Sequence, residues 1–315
     1  MPQESLVALQ LCPLSPYLEA GLAERCTVVR WFELHADERA RWLEEQAGTV
    51  RAVITGGHVG CPEALMAALP ALGIVAINGV GHDKVDLALA RTRGVRVTTT
   101  PDVLTDDVAD LALGLVVALL RGIPAGDAHV RRGAWPVGDR PLARKVTGCR
   151  FGIVGLGQIG RAIATRVVVL GPVRYTGPQP KDVPYEYVAD VVDLARESDV
   201  LILACAATPE TRHLIDASVL EALGPGGYLV NVARGSVVDE TALIEALDER
   251  RIAGAALDVF AEEPHVPDAL RACERTVLTP HMASGTVQTR TAMADLVLAN
   301  LDAFSAGAAL PTAVA

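Results

Sequence analysis

GIVGLGQIGRA (152–162) decides how this chain is read. Gly155, Gly157 and Gly160 stand in G-x-G-x-x-G spacing. The run before them, RFGIV (150–154), has the apolar character of a buried strand. The run after them, QIGRAIATRVVVL (158–170), is apolar at helical spacing, with Ile159, Ile163 and Val167 on one face. Strand, glycine turn and helix in that order predict a dinucleotide-binding turn. The first glycine permits the tight turn, the second lets backbone approach a pyrophosphate, and the third lets helix meet strand. The helix N-terminus offers free N–H groups and the positive end of its dipole to the anion. Leu156, Gln158 and Ile159 lie within the same turn and are candidate contacts.

Working outward, short apolar runs alternate with helical patterns on both sides. Downstream, PVRYT (172–176), DVLILAC (199–205), GYLVNVA (227–233), GAALDV (254–259) and TVLTP (276–280) read as strands, with helices between them, for instance at 239–248. Upstream, SLVALQ (5–10), CTVVR (26–30), RAVIT (51–55), GIVAI (73–77) and VRVTT (95–99) read as strands, and 36–46, 62–70 and 83–94 as helices. Such alternation means a parallel sheet covered on both faces. The expected fold is therefore α/β, with two doubly wound parallel-sheet (Rossmann-like) domains and a cleft between them. A long helix at about 103–121 is too apolar to lie alone on a surface and is expected to pack between domains or subunits. Residues 126–148, rich in Gly, Pro and Arg, read as an irregular connector. A last helix is expected at 287–304.

The chain has 315 residues, and half of them are hydrophobic, which suffices for two domains of ordinary size. A formal net charge of −10 repels phosphate backbones and anionic lipid, so nucleic acid and membrane are poor partners. An anionic substrate would need a local cluster of Arg or His. The six cysteines form no C-x-x-C pair and read as reduced core thiols of a cytoplasmic protein. LALGLVVALL (111–120) is too short to span a bilayer.

Three strand ends carry candidate chemistry. Arg234 follows an apolar strand in NVARGSVVDE (231–240), where burial without an anionic partner would be costly. Asp258 ends another strand, ahead of Glu262 and Glu263 in ALDVFAEEP (256–264). His281 follows a third in LTPHMASGT (278–286). In a parallel sheet the carboxyl ends of the strands line the ligand crevice, so an Arg, a carboxylate and a His could converge on one anionic carbonyl substrate. No histidine or cysteine spacing suggests a metal, and no G-x-S-x-G elbow suggests a serine hydrolase.

These motifs, with INGVGHDKVD (77–86), identify the chain as resembling the D-isomer-specific 2-hydroxyacid dehydrogenases over essentially its whole length. Residues 182–216 and 284–307 look most like the glyoxylate/hydroxypyruvate reductases. The resemblance implies that Arg234 binds substrate, His281 donates the proton and Glu263 stands behind it. It implies that Val80 and Gly81 hold the substrate carboxylate through backbone N–H groups, with Gly57 in GGHVG (56–60) shaping the pocket. Cys205, Thr211, Val232, Asp258 and Ser284 fall at implied cofactor contacts. The implied substrate domain is 1–99 with 285–315, and the dinucleotide domain is 100–284. The chain is implied to be a homodimer through the helix near 103–121, and Trp135 resembles a Trp lent to the partner's site. The implied reaction is NAD(P)H-dependent reduction of a small 2-oxo acid to the D-2-hydroxy acid. Phosphite or a bulkier 2-oxo acid as substrate, or a non-catalytic NAD(H)-sensing scaffold, remain alternatives.

VRYTGPQPKD (173–182) bears on the cofactor. Thr176 lies 21 positions after Gly155, where an Asp would hold the ribose hydroxyls of NAD. Without that carboxylate a 2′-phosphate meets no repulsion. NADP is favoured over NAD, although Pro178 stands where an Arg is usual. Thr176, Gly177, Arg174 and Lys181 are the remaining phosphate partners.

Overall fold

A computed structural model describes residues 6–315. The first series is β1 (Leu6–Gln10), α1 (Pro16–Ala23), β2 (Cys26–Arg30), α2 (Ala36–Gln46), β3 (Val50–Gly56), α3 (Glu63–Ala68), β4 (Ile74–Asn78), α4 (Leu87–Thr92) and β5 (Arg96–Thr98). Its strands pair in parallel in the order β2-β1-β3-β4-β5. Side chains of a strand alternate between faces, and here both faces are buried. Leu9, Val53, Val75 and Ile77 join one apolar cluster, while Ala8, Ile54, Ile74 and Ala76 join the other. This is why these strands are apolar without alternation. α1 was not among the expected helices, although Ser15 caps it by accepting from the Leu18 N–H and Pro16 opens it.

The second series is α5 (Thr105–Arg121), α6 (Ile123–Arg131), β6 (Phe151–Val154), α7 (Gln158–Val167), β7 (Val173–Thr176), β8 (Glu186–Tyr187), α8 (Val191–Arg196), β9 (Val200–Leu203), α9 (Ala217–Leu223), β10 (Tyr228–Asn231), α10 (Glu240–Asp248), β11 (Gly254–Leu257), α11 (Asp268–Ala272) and β12 (Thr276–Leu278). These strands form a parallel sheet in the order β12-β11-β10-β9-β6-β7-β8. The direction of winding reverses between β6 and β9, the position where doubly wound sheets bind dinucleotides. In the first sheet the reversal lies between β1 and β3.

The chain divides into two compact units, one reaching to Leu104 and including Gly285–Ala315, the other Thr105–Ser284. α12 (Val287–Ser305) belongs to the first. The crossing falls at 104 rather than 99 because residues 99–103 are bonded to the first unit. Thr99 N–H donates to Thr312 O, Thr100 N–H to Gly79 O, and the Thr289 hydroxyl to Val103 O.

Within its own unit α5 packs its buried face, including Val108, Ala112, Leu115 and Leu119, against α7 and β10, β11 and β12, while Leu111, Leu113 and Val117 are half-buried. One expectation needs correction. The connector is not wholly irregular: its first residues complete α6, and Trp135–Val137 form a 3-10 turn. Among the described residues no single helix is long and apolar enough to cross a membrane.

Candidate active site

The glycine turn joins β6 to α7 at the switch point, and its glycines have three different jobs. Gly155 has φ +91°, and a Cβ there would lie 2.5 Å from the Cα of Cys205 at the end of β9. A Cβ on Gly160 would lie 2.0 Å from the Gly155 carbonyl oxygen, so helix and strand could not approach. A Cβ on Gly157 would meet no atom within 4 Å. Two glycines thus serve the chain's own packing, while the middle one leaves open space at the start of a ten-residue helix. That is the cradle a pyrophosphate requires, and the residues present fit a dinucleotide.

Beyond β7, two expected phosphate partners are already committed. The Arg174 guanidinium is held by Glu186 at 2.7 Å and Glu197 at 2.5 Å. Thr176 is 6% exposed and its hydroxyl donates to Ala189 O. Lys181 differs. Its Nζ donates to Leu156 O, inside the glycine turn, at 2.8 Å, and its side chain is exposed. Two tyrosines shape the loop that carries it. The Lys181 N–H donates to the Tyr175 hydroxyl, and the Tyr187 hydroxyl donates to Gly177 O. Gly177 and Pro178 lie on this loop between them.

Arg234, Glu263 and His281 follow the neighbouring strands β10, β11 and β12. Asn231, 1% exposed, ends β10 and folds the next turn over itself: its amide nitrogen donates to Arg234 O and its oxygen accepts from the Ala233 N–H. The Arg234 Nη1 donates to Ala233 O. Gly235 lets this turn meet the loop after β11, since a Cβ there would lie 2.0 Å from the Phe260 carbonyl. Neither Asn231 nor Gly235 was a candidate from sequence. A polar amide closing the apolar run YLVN was the available signal for the first.

His281 Nδ1 lies 2.6 Å from Glu263 Oε2. A carboxylate can only accept, so Nδ1 carries the proton and Nε2 is the ring nitrogen turned away from Glu263. The other Glu263 oxygen accepts from the Phe260 N–H, which fixes the carboxylate from behind. His281 has φ +48°, a region unusual for a non-glycine residue and costing on the order of 1–3 kcal/mol. Asp258 holds it there. Its backbone oxygen accepts from the His281 N–H, and its carboxylate accepts from the Thr279 hydroxyl and the Met282 and Ala283 N–H groups. Asp258 is 0% exposed, and burial raises its pKa against those hydrogen bonds. Asp258, an expected cofactor contact, spends its carboxylate on the loop that carries His281.

The remaining candidates are placed as follows. Burial pushes the Cys205 thiol up to about 11, so it stays protonated. The Thr211 hydroxyl accepts from the Thr208 N–H and donates to Ala206 O, closing its own turn. Val232 is buried and Ser284 half-buried. In the first unit, the loops carrying Gly57 and Val80–Gly81 touch, because a Cβ on Gly79 would lie 3.4 Å from the Gly57 nitrogen. Val80 is exposed. Trp135 is 63% exposed.

Residues 113–283 match the NAD-binding domain of the D-isomer-specific 2-hydroxyacid dehydrogenases. The chain belongs to that family and is an oxidoreductase with a dinucleotide-binding domain. It is 48% identical over 313 residues to glyoxylate/hydroxypyruvate reductase A of Arabidopsis thaliana, covering 99% of each chain. It is 44% identical over 308 residues to 2-ketogluconate reductase of Gluconobacter oxydans, covering 97% of each. Among solved structures, an NADPH-dependent glyoxylate/hydroxypyruvate reductase from Sinorhizobium meliloti, in complex with NADP and malonate, superposes with a TM-score of 0.90 at 40% identity, covering 99% of this chain and 97% of that one.

Proposed function

We propose that the protein reduces a small 2-oxo acid, glyoxylate or hydroxypyruvate, to the D-2-hydroxy acid, with NADPH preferred over NADH. The observation that carries this reading is the His281–Glu263 pair at 2.6 Å, on the same sheet edge as Arg234 and the glycine cradle. The nicotinamide cofactor supplies the hydride when bound. Gly157 and the first N–H groups of α7 would hold its pyrophosphate, and the exposed Lys181 ammonium would meet a 2′-phosphate. Arg234 grips the substrate carboxylate through its planar fork. His281, protonated, gives the Nε2 proton to the carbonyl oxygen as negative charge develops there. Glu263 keeps the ring aimed, and Asp258 keeps the loop in place.

Names of relatives support glyoxylate, hydroxypyruvate or 2-ketogluconate as substrates, which favours small 2-oxo acids over phosphite. The unit Thr105–Ser284 serves the dinucleotide and the other unit the substrate. Exposed Val130, Trp135, Val137 and Leu142 favour a homodimer through this stretch, with Trp135 reaching the partner's site. All six cysteines are free thiols, which suits the cytoplasm. His281→Ala is expected to lower kcat by about 10²–10⁴ while NADPH binding, followed by fluorescence titration, is retained. Near-normal kcat would remove His281 from the role of acid.

A further inference from the structure

Arg290 is the one partly buried arginine among the described residues with no carboxylate, carbonyl or aromatic ring against its guanidinium. Arg25, Arg166, Arg174 and Arg251 have carboxylates. Arg39, Arg93, Arg140, Arg144, Arg234 and Arg275 have carbonyls, and Arg96 has the Phe304 ring. Burial lowers the Arg290 pKa with nothing to oppose it. Its place is unfavourable a second time, because it lies in the first turn of α12, where the helix dipole repels a cation. A chain with 38 acidic residues could have supplied a partner, and among the described residues none stands there.

The direction of α12 fixes where this cation lies in its unit. At the far end of the helix, Phe304 packs on Gly73, just before β4, and under the guanidinia of Arg51 and Arg96, at the starts of β3 and β5. α12 therefore runs antiparallel to the strands. Its buried face is Met293, Ala294, Val297, Leu301 and Phe304, and Arg290 extends that face by one turn. At about 1.5 Å per residue, Arg290 is roughly 21 Å from Phe304 along the axis. The five residues of β4 span only about 17 Å, so Arg290 stands past the carboxyl end of the strand. Its neighbour Thr289 agrees, bonding Val103 O beyond β5. Thr100, bonded through its N–H to Gly79 O, belongs to the same edge. There the buried Thr100 hydroxyl and the Asn78 amide oxygen also lack partners, which is uncommon for buried polar groups.

We propose that Arg290 is a second cationic anchor for the substrate, binding the carboxylate of the 2-oxo acid beside the N–H groups of Val80 and Gly81. This rests on the reductase reading and assigns the substrate a binding group that Arg234 and the 79–81 loop do not supply. The free protein tolerates a desolvated charge because the ligand's carboxylate partners it.

The test uses oxalate, a stable two-carbon dicarboxylate, together with glyoxylate turnover, in wild type, Arg290→Lys and Arg290→Met. Oxalate affinity is expected to fall about tenfold or more in Arg290→Met and less in Arg290→Lys. KM for glyoxylate should rise in parallel, with kcat and NADPH affinity within about threefold. The melting temperature of ligand-free Arg290→Met should be no lower than wild type, because a buried unpaired charge has been removed. Equal oxalate affinity in all three proteins overturns the inference, whatever their melting temperatures. If wild type reduces glyoxylate and Arg290→Met does so with unchanged KM, this inference alone fails. If wild type reduces no 2-oxo acid, the reductase reading fails with it.

Discussion

Asp258 and Glu263, in the unit Thr105–Ser284, each arrive already hydrogen-bonded, whereas the Arg290 side chain in the other unit is half-buried with no hydrogen bond or ion pair among the described residues. Both units present the carboxyl ends of a parallel sheet, so topology does not separate them. What separates them is the task. A group that must deliver a proton has to be aimed before the substrate arrives, since misplacement by about 1 Å can cost about 10²-fold in rate. His281 is therefore held at its ring by Glu263 and at its N–H by Asp258, in a backbone conformation it would not choose alone. A group that only binds can leave its bond to be completed by the ligand.

The first way to break this contrast is to loosen the prearranged edge. Gly235→Ala would drive a Cβ into the Phe260 carbonyl, and both atoms belong to backbone that cannot step aside cheaply. The turn of Arg234 and the loop of Glu263 should part, lowering kcat/KM by about 10²-fold or more. Steady-state kinetics alongside a thermal melt would check this; wild-type activity would mean that the close approach is dispensable. A smaller effect is expected at Lys181, which binds rather than reacts. Lys181→Glu should raise KM for NADPH by about tenfold and leave KM for NADH within about threefold. An unchanged ratio of the two would show that another group recognises the 2′-phosphate.

Most of the fold was legible because the apolar runs are short, bounded and repeated. α1 escaped because PYLEAGLA reads weakly apart from its cap and opening proline. α6 escaped because Gly126 and a polar composition masked its end in a stretch that looked like loop. The glycine turn was legible from its spacing between an apolar strand and a helix, and the His281–Glu263 pair through the family resemblance. Partnership was not legible. Arg174 and Lys181 looked equivalent as cations near β7, yet Glu186 and Glu197 occupy one and leave the other exposed. Asp258 looked like a ligand contact because it ends a strand. Its role depends on where Met282 and Ala283 point their N–H groups, and a sequence does not state that. Arg290 drew no attention for the same reason, since lacking a partner is a property of three dimensions.

The most direct measurement is the oxidation of NADPH and of NADH by the purified protein, followed through the absorbance of the reduced nicotinamide, with glyoxylate, hydroxypyruvate, pyruvate and phenylpyruvate in turn and with phosphite in the reverse direction. The account predicts turnover with glyoxylate and hydroxypyruvate and a lower KM for NADPH. Turnover with phosphite alone, or with none of the 2-oxo acids, would contradict it.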